Sequence, residues 1–241
     1  MMRVLYLGDN TVETSAAYLC GVMDHLGYDF VHVPSDDAQI DSFEFDLFVL
    51  SDYPSRILGI KNAERIIEKL AAGSGLLMVG GWESFQGADG RYDTNPIADM
   101  LPVVIDSRDD RVNSAHPAVA RRVAAHPAIG SLEFDPSPSI AGYNRVTSKS
   151  HSQEVLVVER YSATREDGFA LIDRSPLLVC GLAGRTRTAA LMTDVAPHWV
   201  GGLVDWGDSR VEMNRFGVEV GNRYVELLES LLGWCGQAES G

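Results

Sequence analysis

Short apolar runs and helical patterns alternate along the first third of the chain. Runs rich in Val, Leu and Phe predict β-strands, and apolar residues at helical spacing predict helices between them. The predicted strands cover residues 4–7, 30–33, 47–50 and 76–79, and the predicted helices contain residues 19–26 and 63–70. Because each strand is almost continuously apolar, we expect a mainly parallel central sheet with helices on both faces.

The second half of the chain has a different pattern. The strand-like runs "EVLVVERY", "GFALIDR", "PLLVCGLAG" and "TRTAALMTD" are separated by turns that contain Gly or Pro, which is typical of antiparallel strands. We expect the last of these runs to supply a fifth strand of the mainly parallel sheet, near residues 189–192, and the others to be antiparallel additions. An apolar stripe over residues 225–232 predicts a final helix.

Residues 91–138 contain many Asp, Arg, Pro and Ala residues and few strand signals. We expect this segment to form long, ordered excursions over the edge of the sheet, with one short helix at "PAVARRVAAH". No repeat and no break in composition divides the chain. The expected fold is therefore a single α/β domain over residues 1–241.

Composition narrows the class of protein. The 241 residues are 45% apolar, and no apolar run approaches the roughly 20 residues that a membrane span needs. The first residues lack the layout of a signal peptide, so we expect a cytoplasmic protein with no membrane partner. Three cysteines far apart in sequence predict buried, reduced thiols. The net charge of −14, without a local Lys/Arg cluster, argues against nucleic acid as a partner.

Polar and aromatic residues follow the predicted parallel strands. They are Asp9 and Asn10 after the first strand, Asp52 and Tyr53 after the third, and Trp82, Glu83 and Ser84 after the fourth. The segment "TDVAPHWVGGLVDWGD" adds Asp194, His198, Trp199, Asp205 and Trp206 after a late strand. Open α/β sheets bind ligands at the carboxyl ends of their strands, so we expect a site there. The alternative is structural: aspartates that cap turns, and a histidine that packs against tryptophan.

Several segments together resemble a known family. They are "VLYLGD", "VLSDYP", "GLLMVGGWESFQG", "DDRVN", "GYNRV" and "APHWVGGLVDWG". The chain is similar over nearly its whole length to the glutamine amidotransferase-like proteins, a branch of the class I glutamine amidotransferase-like superfamily. The resemblance implies a flavodoxin-like fold. It also implies a homo-oligomer, because the superfamily includes a related domain with which certain β-galactosidases trimerise.

The resemblance further implies where a glutaminase would carry its nucleophile. True glutaminases of the superfamily use a Cys in a G-x-C-x-G elbow and a late-strand His that is followed two residues later by Glu. Aligned to that pattern, Trp82 stands at the Cys position, His198 matches the His, and Val200 replaces the Glu. An indole cannot form the stable, nucleophilic state of a thiolate, so we expect no glutaminase activity.

Two other side chains are weaker candidates for the missing nucleophile. Cys20 lies in the first predicted helix, next to its buried stripe, and therefore cannot replace a thiol at the elbow. Ser84 lies two residues beyond the elbow position, and its surroundings do not form a G-x-S-x-G motif.

Three hypotheses for function follow. The first is a non-glutaminase protein with a binding or assembly role, whose crevice takes a small polar or carbohydrate-like ligand. Its aromatic platforms would be Tyr53, Trp82, Trp199 and Trp206, and its polar groups would be Asp9, Asp52, Glu83, Ser84, Asp194 and Asp205. The second is a hydrolase or other enzyme in which His198 and Glu83 are catalytic. The third is an orthodox amidotransferase.

The candidate residues do not indicate a metal or another cofactor. The one histidine among them lacks the H-x-x-x-H spacing of a dedicated transition-metal site, although carboxylates with a histidine can hold a divalent ion. If Asp9, Asp52 and Glu83 share one crevice, their like charges raise one another's pKa or recruit a cation. We expect hydrogen bonds and a small polar ligand there rather than a bound metal.

Overall fold

The computed structural model of the protein describes residues 1–11, 13–166 and 168–236. In chain order its strands are β1 (Arg3–Gly8), β2 (Asp29–Val33), β3 (Leu47–Ser51), β4 (Gly75–Val79), β5 (Val103–Val104), β6 (Arg111–Asn113), β7 (Ala118–Arg122), β8 (Gly142–Asn144), β9 (Thr147–Ser148), β10 (Gln153–Thr164), β11 (Gly168–Ala183), β12 (Thr186–Leu191), β13 (Arg210–Met213) and β14 (Val218–Gly221). Its helices are α1 (Ala16–His25), α2 (Ser55–Ala71), α3 (Ile97–Met100), α4 (Pro197–Val200) and α5 (Asn222–Gly236).

Eight of these strands form the central sheet, in the order β2-β1-β3-β4-β12-β11-β10-β7. The first five strands in this order pair in parallel. The remaining pairs, from β12 to β7, are antiparallel. The predicted fold is confirmed: a flavodoxin-like α/β sheet that is mainly parallel, with helices on both faces and antiparallel additions from the second half of the chain.

The parallel strands form the core because nearly all of their side chains are buried. Every residue of β3 and β4 is buried, and so is every residue of β1 after Arg3. Helix α5 covers this part of the sheet with a buried stripe that includes Leu228, Leu231 and Leu232. Each such leucine removed from water contributes about 2 kcal/mol of hydrophobic stabilisation. The same packing fixes the carboxyl ends of the strands relative to one another.

One predicted helix is wrong. The segment "PAVARRVAAH", residues 117–126, contains strand β7, and a single 3₁₀ turn, Pro127–Ile129, follows it. In β7 the buried side chains alternate, at Ala118 and Ala120, because the strand pairs with the edge of β10. Pairing with β10 satisfies the backbone N–H and C=O groups that a helix would have satisfied internally. The small alanine side chains can be accommodated in a strand as well as in a helix.

Two predicted strands are one strand in the structure. The runs "GFALIDR" and "PLLVCGLAG" form the continuous strand β11. Its Pro176 lies opposite Val157, at a point where the register between β10 and β11 shifts. A proline is tolerated at such a bulge because the ladder is already interrupted there.

The segment 91–138, predicted to be an excursion over the edge of the sheet, supplies part of that edge itself, because its strand β7 pairs with β10 at the end of the sheet. It contains β5, β6 and β7, and two small antiparallel pairs, β5 with β9 and β6 with β8, lie outside the central sheet. In the second pair, Arg111 lies opposite Asn144 and Asn113 lies opposite Gly142. None of the helices in the described ranges is both long and apolar enough to cross a membrane.

Candidate functional site

Three aspartates lie just after the carboxyl ends of parallel strands. Asp9 follows β1, Asp52 follows β3, and Asp194 lies three residues beyond the end of β12. Asp9 and Asp52 adopt left-handed backbone conformations, with φ of 52° and 46°. Aspartate is one of the few residues with a side chain that enters this region readily. The local sequence therefore permits a sharp turn at the end of each strand.

Asp9 is buried at the end of β1. Its carboxylate accepts a hydrogen bond from the Tyr6 hydroxyl, and its backbone N–H donates to the Ser51 carbonyl at 3.0 Å. Burial raises the pKa of Asp9 from 3.8 to about 6, although the bond from Tyr6 acts in the opposite direction. The carboxyl group therefore exchanges its proton close to neutral pH.

Asp52 is bonded to the loop that follows β4. Its Oδ1 accepts the backbone N–H of Glu83 at 2.7 Å, and its own backbone N–H donates to Ser84 Oγ at 2.9 Å. Gly81 permits this approach, because a Cβ at that position would lie 2.1 Å from Asp52 Oδ1. Burial, followed by the charge of Asp9, raises the pKa of Asp52 from 3.8 to about 7.

Asp194 completes the group. Its Oδ1 accepts the backbone N–H groups of Val195 and Ala196, at 2.6 and 3.0 Å, which is an Asx turn. Burial raises the pKa of Asp194 well above its ordinary value, and the charges of Asp9 and Asp52 add to the effect. Across the described ranges, no group of three or more His, Cys, Asp or Glu side chains is arranged to hold a metal ion.

Two buried side chains hold the loop of residues 80–87, which we call the elbow loop. Asn144 Oδ1 accepts the Gly81 N–H at 2.9 Å, and Asn144 Nδ2 donates to the Gly81 carbonyl at 3.1 Å and to Asp110 Oδ1 at 2.7 Å. Asp110 accepts the backbone N–H groups of Gln86 and Gly87, both at 3.0 Å. Neither Asn144 nor Asp110 was predicted from the sequence to be a site residue, although each lies in a motif that carries the family resemblance.

The indole of Trp82 lies beyond the carboxyl end of β4 and is 43% exposed. The Arg111 guanidinium lies over the indole, 4.5 Å from the ring centroid, in a cation–π contact. The His198 ring lies on the same indole, with centroids 6.0 Å apart and an interplanar angle of 59°. We call Trp82, Arg111 and His198 the mouth cluster. Arg111 was not among the site residues predicted from the sequence.

Glu83 lies beside the mouth cluster. Its side chain is 36% exposed, and Oε1 is 4.0 Å from an Arg56 nitrogen. Partial burial raises the pKa of Glu83, and the charge of Arg56 opposes that change. The structure thus brings Asp52, Trp82, Glu83 and His198 to one end of the sheet, with a polar rim around an exposed aromatic ring.

Two predicted aromatic platforms lie in the core instead of at the mouth. Tyr53 is fully buried, and its hydroxyl donates to the Asp37 carbonyl at 2.6 Å. Trp199 is 1% exposed, and its Nε1 donates to Asn113 Oδ1 at 2.7 Å. Both rings therefore pack and bond within the protein, and neither offers a free face to a ligand.

Three other candidates have structural partners. Ser84 is buried, and its hydroxyl anchors Asp52 as described above. Trp206 is 6% exposed and donates from Nε1 to the Pro136 carbonyl at 3.1 Å. Asp205 is exposed and forms an ion pair with Arg210. These contacts do not connect Trp206 or Asp205 to the mouth cluster.

Sequence comparison identifies the family. The model of the family described as "Putative glutamine amidotransferase" matches residues 60–216, which include the elbow loop, the mouth cluster and Asp194. The chain belongs to this glutamine amidotransferase-like family. A search of curated proteins gave no significant match.

Three bacterial proteins with solved structures share this fold. The cytoplasmic protein STM3548 from Salmonella typhimurium matches with a TM-score of 0.76 and 24% identity, over 98% of this chain and 99% of that one. The cytoplasmic protein STM1381 from Salmonella typhimurium LT2 matches with a TM-score of 0.71 and 22% identity, over 98% and 97%. A ThuA-like protein from Parabacteroides merdae has a TM-score of 0.56 and 18% identity, over 100% and 92%. These likenesses show the fold that the glutamine amidotransferase-like chain adopts.

Proposed function

We propose that this glutamine amidotransferase-like protein has no glutaminase activity and binds a small polar, carbohydrate-like ligand at the mouth cluster. The observation that carries the proposal is the half-exposed indole of Trp82 at the elbow position, with His198 beside it. A flat apolar ring with polar groups at its rim suits a sugar or polyol, which has an apolar ring face and many hydroxyl groups.

The thiols support the absence of glutaminase chemistry. Cys20, Cys180 and Cys235 are all free and buried. Burial, followed by the charges of Asp9 and Asp24, raises the pKa of Cys20 to about 12, so almost no thiolate forms there at neutral pH. Burial also raises the pKa of Cys180 and Cys235. No thiol in the described chain is therefore both ionised and accessible.

The backbone of the elbow loop supports the same conclusion. An oxyanion hole needs N–H groups that are free to bond the charge that develops on the substrate. In this protein the Glu83 N–H is bonded to Asp52 Oδ1, and the Gly81 N–H is bonded to Asn144 Oδ1. A substrate oxygen would have to displace one of these acceptors.

Ligand binding is tested by thermal stabilisation. Neutral hexoses, pentoses and polyols are titrated into the wild-type protein and into Trp82→Ala, Glu83→Ala and His198→Ala variants. We expect at least one sugar or polyol to raise the melting temperature of the wild type, and each variant to lose that response while its unliganded melting temperature stays close to wild type. His25→Ala, a matched control at an exposed histidine in the last turn of α1, should keep the full response.

Two results would contradict the binding proposal. One is an unchanged ligand response in the Trp82, Glu83 and His198 variants. The other is stoichiometric metal in the purified wild-type protein. Glutaminase activity is tested separately by ammonia release from glutamine, which should be the same in wild type and Cys20→Ala. Ammonia release that disappears when a cysteine is replaced would show that the enzyme is a glutaminase after all.

A second candidate function is a hydrolase that uses His198 with nearby carboxylates on a small polar or carbohydrate-like substrate. The observation that favours it is the pair of raised pKa values, about 6 for Asp9 and about 7 for Asp52, which suit proton transfer near neutral pH. Chromogenic glycosides and acetate esters test this function. Turnover that falls at least about tenfold in both Asp52→Asn and His198→Ala would support it.

A further inference from the structure

Strands β10 and β11 extend beyond the rest of the sheet as a two-stranded arm, residues 161–164 and 168–172. Pairing of β10 with β7 ends at Arg160, and pairing of β11 with β12 begins only at Leu178. In the arm the two strands pair with each other from Tyr161 opposite Leu171 to Thr164 opposite Gly168, and the Tyr161 N–H also donates to the Pro117 carbonyl at 2.9 Å. Across the described residues, no other strand pairs with the arm's part of β11. Its outer edge is therefore available for a further strand.

The arm also exposes large apolar side chains. Phe169 is 73% exposed, Leu171 is 55% exposed and Ile172 is 46% exposed. All three lie within four consecutive residues of β11. A two-stranded hairpin is only marginally stable alone in water, and exposed apolar side chains at a free edge mark an interaction surface, here with Phe169 and Leu171 on one face of the strand and Ile172 on the other. Burial against a partner would stabilise both the arm and its apolar residues.

The charge of the arm differs from that of the whole chain. Residues 159–174 contain three arginines and four carboxylates, whereas the whole chain has a net charge of −14. The side chains of Arg165, Glu166 and Arg174 form no hydrogen bond or ion pair with any residue that the structure describes. Two copies of this acidic protein repel each other over most of their surface, and this repulsion is nearly absent at the arm.

We propose that the arm binds the arm of a second copy of this chain, antiparallel and about a two-fold axis. An unpaired edge is self-complementary in this arrangement, because the same strand supplies both sides of the ladder. With the axis at Ala170, Phe169 of one copy lies opposite the partner's Leu171. At the end of this ladder the partner's Arg174 comes next to the turn that contains Glu166. The register thus places Phe169 opposite the partner's Leu171 and brings unpaired side chains of opposite charge to the ends of the ladder.

The size of the arm sets the strength of the dimer. Phe169 supplies on the order of 150 Å² of exposed apolar area. The whole arm supplies less than the roughly 800 Å² per partner of a standard stable interface. The dimer should therefore dissociate in the micromolar range and depend on protein concentration.

Sedimentation velocity over a series from about 1 to about 500 µM protein tests the proposal. We expect the weight-average mass of the wild type to rise from 26.3 kDa toward twice that value. Phe169→Asp and Leu171→Asp should remain monomeric over the same range. Leu182→Asp is the matched control, because Leu182 lies on the same strand and is 51% exposed, but lies outside the arm. It should dimerise as the wild type does.

A charge exchange tests the register itself. Glu166→Arg alone and Arg174→Glu alone should each weaken dimerisation, and the double variant should restore it. A wild type that stays monomeric over the whole series would overturn the proposal. So would a dimer that survives in the Phe169→Asp and Leu171→Asp variants, or single charge variants that the double variant fails to rescue. None of these results bears on ligand binding at the mouth cluster.

Discussion

Replacing Asp52 with Asn should make the stability of the protein less dependent on pH. Burial and the charge of Asp9 raise the pKa of Asp52 from 3.8 to about 7 in the folded protein. Between these two values the folded state holds a proton that the unfolded state has released. Unfolding then becomes easier as pH rises, until the pH passes the folded pKa. Asparagine removes this effect, keeps an oxygen that can accept the Glu83 N–H, and tolerates the left-handed backbone at this position.

The two pKa values give the size of the effect. At about 1.4 kcal/mol per pKa unit, the Asp52 contribution to the free energy of unfolding falls by about 2–3 kcal/mol between pH 5 and pH 8. Asp9, whose pKa is raised to about 6, adds a smaller fall in the same direction and remains in the variant. The wild type should therefore lose stability over this range, and Asp52→Asn should lose about 2 kcal/mol less.

Urea unfolding followed by tryptophan fluorescence at several pH values measures this difference. Asp205→Asn is the control, because Asp205 is an exposed aspartate outside the crevice. That variant should follow the wild-type dependence on pH. If Asp52→Asn and the wild type lose the same free energy of unfolding between pH 5 and pH 8, the charged form of Asp52 is not destabilised in the crevice. Burial would then not raise the pKa of Asp52 in the folded protein.

Three further predictions concern the elbow loop and the thiols. Asn144→Ala should lower the free energy of unfolding by about 2–4 kcal/mol in urea titrations, because it leaves the buried N–H and C=O groups of Gly81 without partners. The control Asn62→Ala, at a partly exposed site with one long hydrogen bond, should lower it by less than about 0.5 kcal/mol. Gly81→Ala should cost about 2 kcal/mol or more, because its Cβ would overlap Asp52 Oδ1; a variant as stable as wild type would contradict the contact. The three thiols should react with a disulfide reagent only after unfolding, and fast reaction of the native protein would contradict their burial.

The parallel half of the fold was predictable because its signals are local. Strands β1, β3 and β4 are almost continuously apolar, and in such strands burial on both faces and the parallel arrangement go together. The prediction failed at β7, where alanine-rich sequence suits either a helix or a strand. There the strand conformation is determined by pairing with the edge of β10, which is more than thirty residues away in sequence. No local pattern contains that information.

The candidate site was predictable only in position. The rule that strand ends carry ligand sites located Asp9, Asp52, Trp82 and Glu83. It could not show which way each side chain points, and Tyr53, next to Asp52, turns into the core. Asn144 was missed because its partner Gly81 lies 63 residues away in sequence. Its role depends on a long-range contact that only the folded chain creates.

Hydrogen bonds to the elbow loop bear on the proposal that this protein is not a glutaminase, in addition to the tryptophan at position 82. Asp52, Asn144 and Asp110 each accept backbone N–H groups of the loop, so the loop is fixed before any ligand arrives. A thiol at position 82 would stand on this rigid support, yet the Glu83 N–H would remain bonded to Asp52 and unavailable to a developing oxyanion. What the rigid loop does offer is a fixed, exposed indole, which loses little conformational entropy when a ligand packs against it. The hydrogen bonds that hold the elbow loop therefore support both parts of the proposal, the absence of covalent catalysis and the binding of a ligand at Trp82.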